Sequence, residues 1–177
     1  MNLHQLWLIT RYSFTEIWRN KTFRVAFMVL IPLLIAYQVS FQSDMFNIPV
    51  EYTLVLSSFI PTQNAYMFNL LLVFPLATMG FWVHKQKKYN TLEALLVHPQ
   101  GNDTYSTGFI LGIIIAFMIM GSISLALAGL INLFASPTSF RPLIYLFYLV
   151  TLILPTIVFI VGITSFLAAR CFKNGTV

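Results

Sequence analysis

Residues 109–134 read FILGIIIAFMIMGSISLALAGLINLF, a run of 26 residues without a charged side chain. A membrane-spanning helix needs about 20 consecutive apolar residues, so this run is long enough to cross a bilayer. Three further runs, at about 25–41, 65–83 and 143–169, have the same character. Transmembrane strands are about 9–11 residues long and alternate in polarity, whereas these runs are continuous. The sequence therefore predicts an all-α integral membrane protein with four transmembrane helices.

The overall composition agrees with this interpretation. Of the 177 residues, 58% are hydrophobic and only 8% are charged, whereas roughly 25% are charged in an average soluble domain. Intrinsic disorder is excluded because it requires low hydrophobicity and high charge. Four spans and their connections use up the length, so residues 1–177 are expected to form a single transmembrane domain without a sizeable soluble catalytic domain. Because Cys171 is the only cysteine, an intramolecular disulfide is excluded.

The basic residues predict the orientation in the membrane. Nine of the ten lie before the first span, after the second or after the fourth, and only Arg141 lies in the other connections. The positive-inside rule therefore predicts cytoplasmic N- and C-termini and a cytoplasmic connection at 84–108, in the plasma (inner) membrane. The net charge of +5 favours membrane lipid as a partner and not nucleic acid, because the charges are split among short connections. The nine residues are Arg11, Arg19, Lys21, Arg24, Lys85, Lys87, Lys88, Arg170 and Lys173.

Residues 3–22 have the periodicity of an amphipathic helix. One stripe is apolar, and the opposite side carries Arg11, Thr15, Glu16, Arg19 and Asn20. Such a helix is typical of the membrane interface, where tryptophan lies at the depth of the headgroups. Trp7, Arg11, Phe14, Trp18 and Arg19 are the predicted interface residues, and a solvated helix beside the membrane is the alternative. The apolar stripe consists of Leu3, Leu6, Trp7, Phe14, Ile17 and Trp18.

The connection at 84–108 contains a predicted short helix at 90–98. Asn90 is a favourable N-cap, and Glu93 lies where a capping box places its acidic residue. Pro99 ends the helix, since the residue before proline is disfavoured in the α conformation. Leu92, Leu95 and Leu96 form an apolar face, which packs either against the protein's own spans or in a partner's groove.

The run YNTLEALLVHP at 89–99, followed by Tyr105, Gly108 and Gly112, resembles the first cytoplasmic loop of ABC-2 type transporter permeases. That family commonly has Gly-Thr-Leu-Glu-x-Leu-Leu-x-x-Pro there, and then a Gly-Lys pair that opens the third span. Asn90 stands in place of the first glycine, and Gly108 is not followed by lysine. The amphipathic N-terminus likewise resembles the interfacial "elbow" helix of the family.

The resemblance implies a permease subunit of an ATP-driven exporter. It would form the transmembrane path with a second permease unit, identical or different, and receive motion from a separate ABC ATPase subunit. The residues that the resemblance assigns to this coupling are Asn90, Thr91, Leu92, Glu93, Leu95, Leu96 and Pro99. The chain has no GxxxxGK[ST] phosphate loop, so ATP is expected on the partner, with no cofactor on this chain and no enzyme activity of its own. Because the family typically has six spans, the chain is expected to be the N-terminal part of a longer permease, with a shortened variant as the alternative.

The interiors of the predicted spans contain no Asp, Glu, His, Lys or Arg. Such residues usually mark proton relays and ion paths, so a proton-coupled transporter is not expected. The three histidines are far apart in the sequence, and neither a metal site nor an intramembrane enzyme is predicted. The same feature keeps open a second function, a non-transporting four-helix scaffold or accessory subunit that docks a cytoplasmic partner.

Prolines, glycines and amides inside the spans carry the remaining predictions. Pro32, Pro75 and Pro155 are expected to kink three spans, either as ordinary packing or as hinges. Asn69 and Gln38 are the polar side chains expected to form hydrogen bonds between helices. The third span also has a face of small residues that permits close helix packing, formed by Gly108, Gly112, Ala116, Gly121, Ser124 and Ala128.

Overall fold

The computed structural model describes residues 3–44, 53–88, 102–135 and 140–173, and this part of the chain is helical almost throughout and has no strand. The predicted all-α class is therefore confirmed. The helices are α1 (Leu3–Arg19), α2 (Lys21–Asp44), α3 (Thr53–Lys88), α4 (Asn102–Ala135), α5 (Pro142–Tyr148) and α6 (Leu154–Lys173), with a π-helical segment, Leu149–Ile153, between the last two.

Three segments are long and apolar enough to cross a membrane: Lys21–Gln42, Ser106–Phe134 and Pro142–Leu167. Large apolar side chains also cover much of the outer surface, and Phe134, Leu143 and Met28 are each at least 70% exposed. A soluble protein rarely exposes apolar patches of this extent. These features indicate a membrane protein.

The predicted second span, 65–83, lies inside α3. This helix is 36 residues long and begins at Thr53, so the connection before it is shorter than the sequence indicated. The predicted second span is not among the three segments that are long and apolar enough to cross a membrane. A four-span architecture therefore stays a prediction.

A single non-helical residue, Asn20, separates α1 from α2. The predicted N-terminal helix, 3–22, ends at Arg19, because the Asn20 side chain accepts a hydrogen bond from the Thr22 N–H at 2.8 Å. This is the N-cap interaction that starts a new helix. The Arg24 guanidinium donates to the Arg19 carbonyl oxygen at 2.9 Å and so satisfies one of the free carbonyls at the end of α1.

The helix α4 lies at the centre, in contact with all the other helices. Its N-terminal half packs closely against α1 at two glycines. A Cβ atom at Gly108 would lie 2.7 Å from Ile9 Cγ2, and one at Gly112 would lie 2.7 Å from Ser13 Cβ and 3.0 Å from the Phe14 backbone nitrogen. Any larger side chain at Gly112 would therefore collide with the α1 backbone, which makes this contact depend on the two glycines.

The fourth predicted span is interrupted by the π-helical segment immediately before Pro155. Proline removes a backbone donor, and π-helical turns are one way in which a helix accommodates the disturbance. Side-chain hydroxyls donate to other backbone carbonyls of the same span. The Thr156 hydroxyl donates to the Leu152 carbonyl oxygen at 2.7 Å, and the Thr151 hydroxyl donates to the Phe147 carbonyl oxygen at 2.8 Å.

The contact between α1 and α4 predicts opposite effects for two glycine-to-alanine substitutions. Gly112→Ala should lower the free energy of unfolding by roughly 1–3 kcal/mol, because the added methyl group forces α1 away. Gly162→Ala is the matched control, since no atom lies within 4 Å of a Cβ there and alanine favours helix. Unfolding in detergent, followed by tryptophan fluorescence, measures both. Equal stabilities for the two variants would show that α1 does not depend on this close approach.

Candidate functional site

The face of α1 that packs on α4 differs from the predicted apolar stripe. Its buried residues are Ile9, Ser13 and Ile17, and of these only Ile17 belongs to that stripe. The reason is the glycine pair on α4, which brings the backbones so close that only a narrow line of α1 is covered. The rest of the apolar stripe therefore remains largely on the outside of the bundle.

The five predicted interface residues lie together on this outer part of α1 or at its edge. Trp7 is 57% exposed, and the Arg11 guanidinium lies 5.4 Å from the centre of its ring in a cation–π contact. Trp18 is 40% exposed and packs on Phe14, with the ring centres 5.8 Å apart. Arg19 is exposed at the end of the helix. Aromatic rings beside guanidinium groups suit a bilayer interface, and the interfacial position stays a prediction.

The predicted coupling helix, 90–98, lies outside the described residues, as do all seven residues assigned to coupling. The described chain stops at Lys88 and resumes at Asn102. Of the predicted connection 84–108, residues 84–88 belong to α3 and residues 102–108 belong to α4. The segment 89–101 is therefore flanked directly by the two helices, and α1 is packed on the second of them.

A row of neutral polar side chains crosses the interior of the bundle. The Gln42 amide on α2 donates to the Ala128 carbonyl oxygen on α4 at 3.2 Å, and the Ser124 hydroxyl on α4 donates to the Asn64 side-chain oxygen on α3 at 2.8 Å. Farther along, the Asn69 amide donates to the Leu152 carbonyl oxygen at 3.3 Å. These bonds connect α2, α3, α4 and the fourth span. In apolar surroundings such bonds hold helices together at particular positions.

The sequence anticipated part of this row. The prediction for Asn69 is confirmed, because its bond joins α3 to the fourth span. The prediction for Gln38 is wrong, since its side-chain oxygen accepts from Gln42, one turn away on the same helix, at 3.1 Å. Gln42 and Asn64 form hydrogen bonds to α4 that the sequence did not predict. The spacing of Gln38 and Gln42 in an otherwise apolar run was the available signal for a shared polar face.

A further hydrogen bond between helices holds α5 against α4. The Asn132 amide donates to the Tyr145 hydroxyl at 3.0 Å, and both residues are buried. Beside it, a Cβ atom at Gly129 would lie 3.0 Å from the Phe140 ring. The small residue thus lets the two aromatic side chains lie on α4.

Next to this contact, an apolar groove of about 450 Å³ opens sideways between α4 and α5. Three of its lining residues, Leu130, Leu133 and Leu146, are more than half exposed. A groove of this size in an apolar surface has the dimensions and lining of a site for the apolar part of a small molecule. Its lining consists of Ser122, Leu125, Ala126, Gly129, Leu130, Leu133, Phe140, Pro142, Tyr145, Leu146 and Leu149.

Comparisons with protein-family models, with curated proteins and with solved structures each found no match. The likeness of the run at 89–99 to ABC-2 type permeases therefore stays a resemblance.

The polar row predicts different outcomes for two neighbouring glutamines. Gln42→Met should destabilise the protein by about 1 kcal/mol, because it removes the bond to the α4 carbonyl. Gln38→Met should be neutral or stabilising, because the Gln38 amide nitrogen has no partner and methionine has nearly the same volume. Both side chains are buried on the same helix, one turn apart, so each is the control for the other. Thermal unfolding in detergent compares them, and a larger loss for Gln38→Met would contradict this assignment.

Proposed function

We propose that the chain is the membrane subunit of an ABC-2 type transporter, with four spans and cytoplasmic termini. In this proposal it pairs with a second permease unit and with a separate ABC ATPase subunit, and it exports an amphiphilic or hydrophobic substrate. The observation that carries the proposal is the run at 89–99, which resembles the family's motif and is flanked by α3 and α4.

The packing of α1 supports a route for motion from the partner. The segment 89–101 leads directly into α4, and α1 packs on the first turns of α4 through Gly108 and Gly112. Any displacement of the loop by an ATPase subunit would move α4 and α1 together, because the two backbones are in direct contact. An interfacial helix that moves with a central span would couple events at the cytoplasmic surface to the interior of the bundle.

The nature of the interior supports an uncharged or amphiphilic substrate. The interiors of the predicted spans contain no Asp, Glu, His, Lys or Arg, and the amides and hydroxyls of the polar row are neutral. A charged group would have to be desolvated there without an opposite charge to pair with it. The sideways-opening groove on α4 and α5 is lined almost entirely by apolar side chains, as the hydrocarbon part of an amphiphile requires.

Aspartate at Leu95 and Leu96 tests the coupling. The double substitution L95D/L96D should abolish stimulation of ATP hydrolysis by this subunit and leave membrane insertion intact, because charges on the apolar face prevent docking. The matched control is the double substitution A94D/V97D, which adds the same two charges on the opposite side of the predicted helix. ATPase assays of the reconstituted complex measure both variants. Normal stimulation by L95D/L96D would overturn the coupling role of this helix.

A non-transporting scaffold is the second candidate. It is favoured by the absence of any charged residue from the interiors of the spans, since many transport paths contain one. Such a scaffold would dock the same cytoplasmic partner without a substrate. A partner ATPase rate that changes with added amphiphile would exclude it.

A further inference from the structure

The polar row contains a place where hydrogen-bonding groups meet without enough partners. Gln38, Asn64 and Ser124, from α2, α3 and α4, line one internal gap together with Ala128. We call these three side chains the amide site. Apolar side chains close the gap on its other sides, and it is too narrow to admit a water molecule.

Three atoms in and beside the amide site lack a hydrogen-bonding partner. They are Gln38 Nε2, Asn64 Nδ2 and Gln42 Oε1, and their side chains are at most 1% exposed. The two amide nitrogens carry two N–H groups each, and the Gln42 oxygen is an acceptor. Buried groups of this kind are almost always paired, so each unpaired one raises the free energy of the folded protein. Any group that satisfies them is therefore bound favourably.

The surroundings define the chemistry of such a group. Residues 25–42, 58–76 and 104–134, the stretches of the three helices on either side of the site, contain no Asp, Glu, His, Lys or Arg. A charged ligand would be buried without a counter-charge, whereas a neutral one would not carry this cost. A hydroxyl group matches the orphaned atoms, since its oxygen accepts from amide N–H groups and its hydrogen donates to an amide oxygen.

We propose that the amide site binds one neutral hydroxyl group, supplied by water or by the head of an amphiphile, when α2 and α3 separate slightly from α4. Occupation satisfies Gln38 and Asn64 and holds the three helices apart by the width of one hydroxyl. The inference is independent of an ATPase partner, because it depends only on the packing within this chain.

Cysteine labelling of the full chain in lipid vesicles tests the proposal. In a Cys171→Ser background, Ala128→Cys places a thiol in the lining of the site. Ala65→Cys is the matched control, because Ala65 is also a fully buried alanine, adjacent to Asn64, and does not line the gap. The probe is methyl methanethiosulfonate, which is small and uncharged and reacts with the thiolate, so it needs water at the thiol. The thiol at 128 should react at least about tenfold faster than the thiol at 65, the factor that corresponds to roughly one hydrogen bond.

Removal of the unpaired donor should then close the site to solvent. Adding Gln38→Met to Ala128→Cys should slow the labelling by about tenfold, because the amide that recruits the hydroxyl is gone. Asn64→Leu is the second variant with the same expected direction. Equal labelling at positions 128 and 65, or labelling that neither Gln38→Met nor Asn64→Leu slows, would overturn the proposal.

Octanol identifies the source of the hydroxyl. If octanol slows labelling of the thiol at 128 and octane does not, the hydroxyl comes from an amphiphile. If neither slows a reaction that still depends on Gln38, the hydroxyl comes from water. Slowing by octane and octanol alike would indicate an apolar site and contradict the proposal.

Discussion

The direct contact between the backbones of α1 and α4 at Gly108 and Gly112 determines how the cytoplasmic side of this protein is built. Two glycines one turn apart remove the side chains that would keep the helices separate, and Ile9 and Ser13 occupy the space. As a result α1 is held along a narrow line and keeps Trp7, Arg11 and Trp18 on its outer side. One helix thus packs on the bundle and also presents residues suited to a membrane surface.

Inside the bundle, position along the helices is set by neutral polar groups. Apolar packing between spans is tolerant of sliding, because lipid and leucine are similarly apolar. The bonds from Gln42 to the Ala128 carbonyl, from Ser124 to Asn64 and from Asn69 to the Leu152 carbonyl each fix one helix against another. The same row leaves amides unpaired at Gln38 and Asn64, so the interior is both fixed and incompletely satisfied.

The sequence predicted the helical class and the approximate positions of three apolar segments long enough to cross a membrane, because the length and the absence of charge that such a segment needs are set by the bilayer. It predicted the bond of Asn69, a single amide in a long apolar run. The prediction failed for Gln38. Gln38 and Gln42 are one turn apart and lie on nearly the same face of α2, so only the packed structure shows which of them reaches the Ala128 carbonyl. The sequence did not predict which line of α1 packs on the bundle, because hydrophobicity marks the stripe that contains the tryptophans, whereas the contact lies opposite the glycines of α4.

The most direct test of the proposed transporter role is purification of the protein from its native membrane in mild detergent, with mass spectrometry of the proteins that accompany it. The account predicts co-purification of a subunit that carries a GxxxxGK[ST] phosphate loop, in constant ratio to this chain. The complex should lose that subunit when the loop at 89–101 is replaced by a flexible glycine-serine segment. A chain that purifies without any ATPase subunit, under conditions that preserve its fold, would contradict the transporter role.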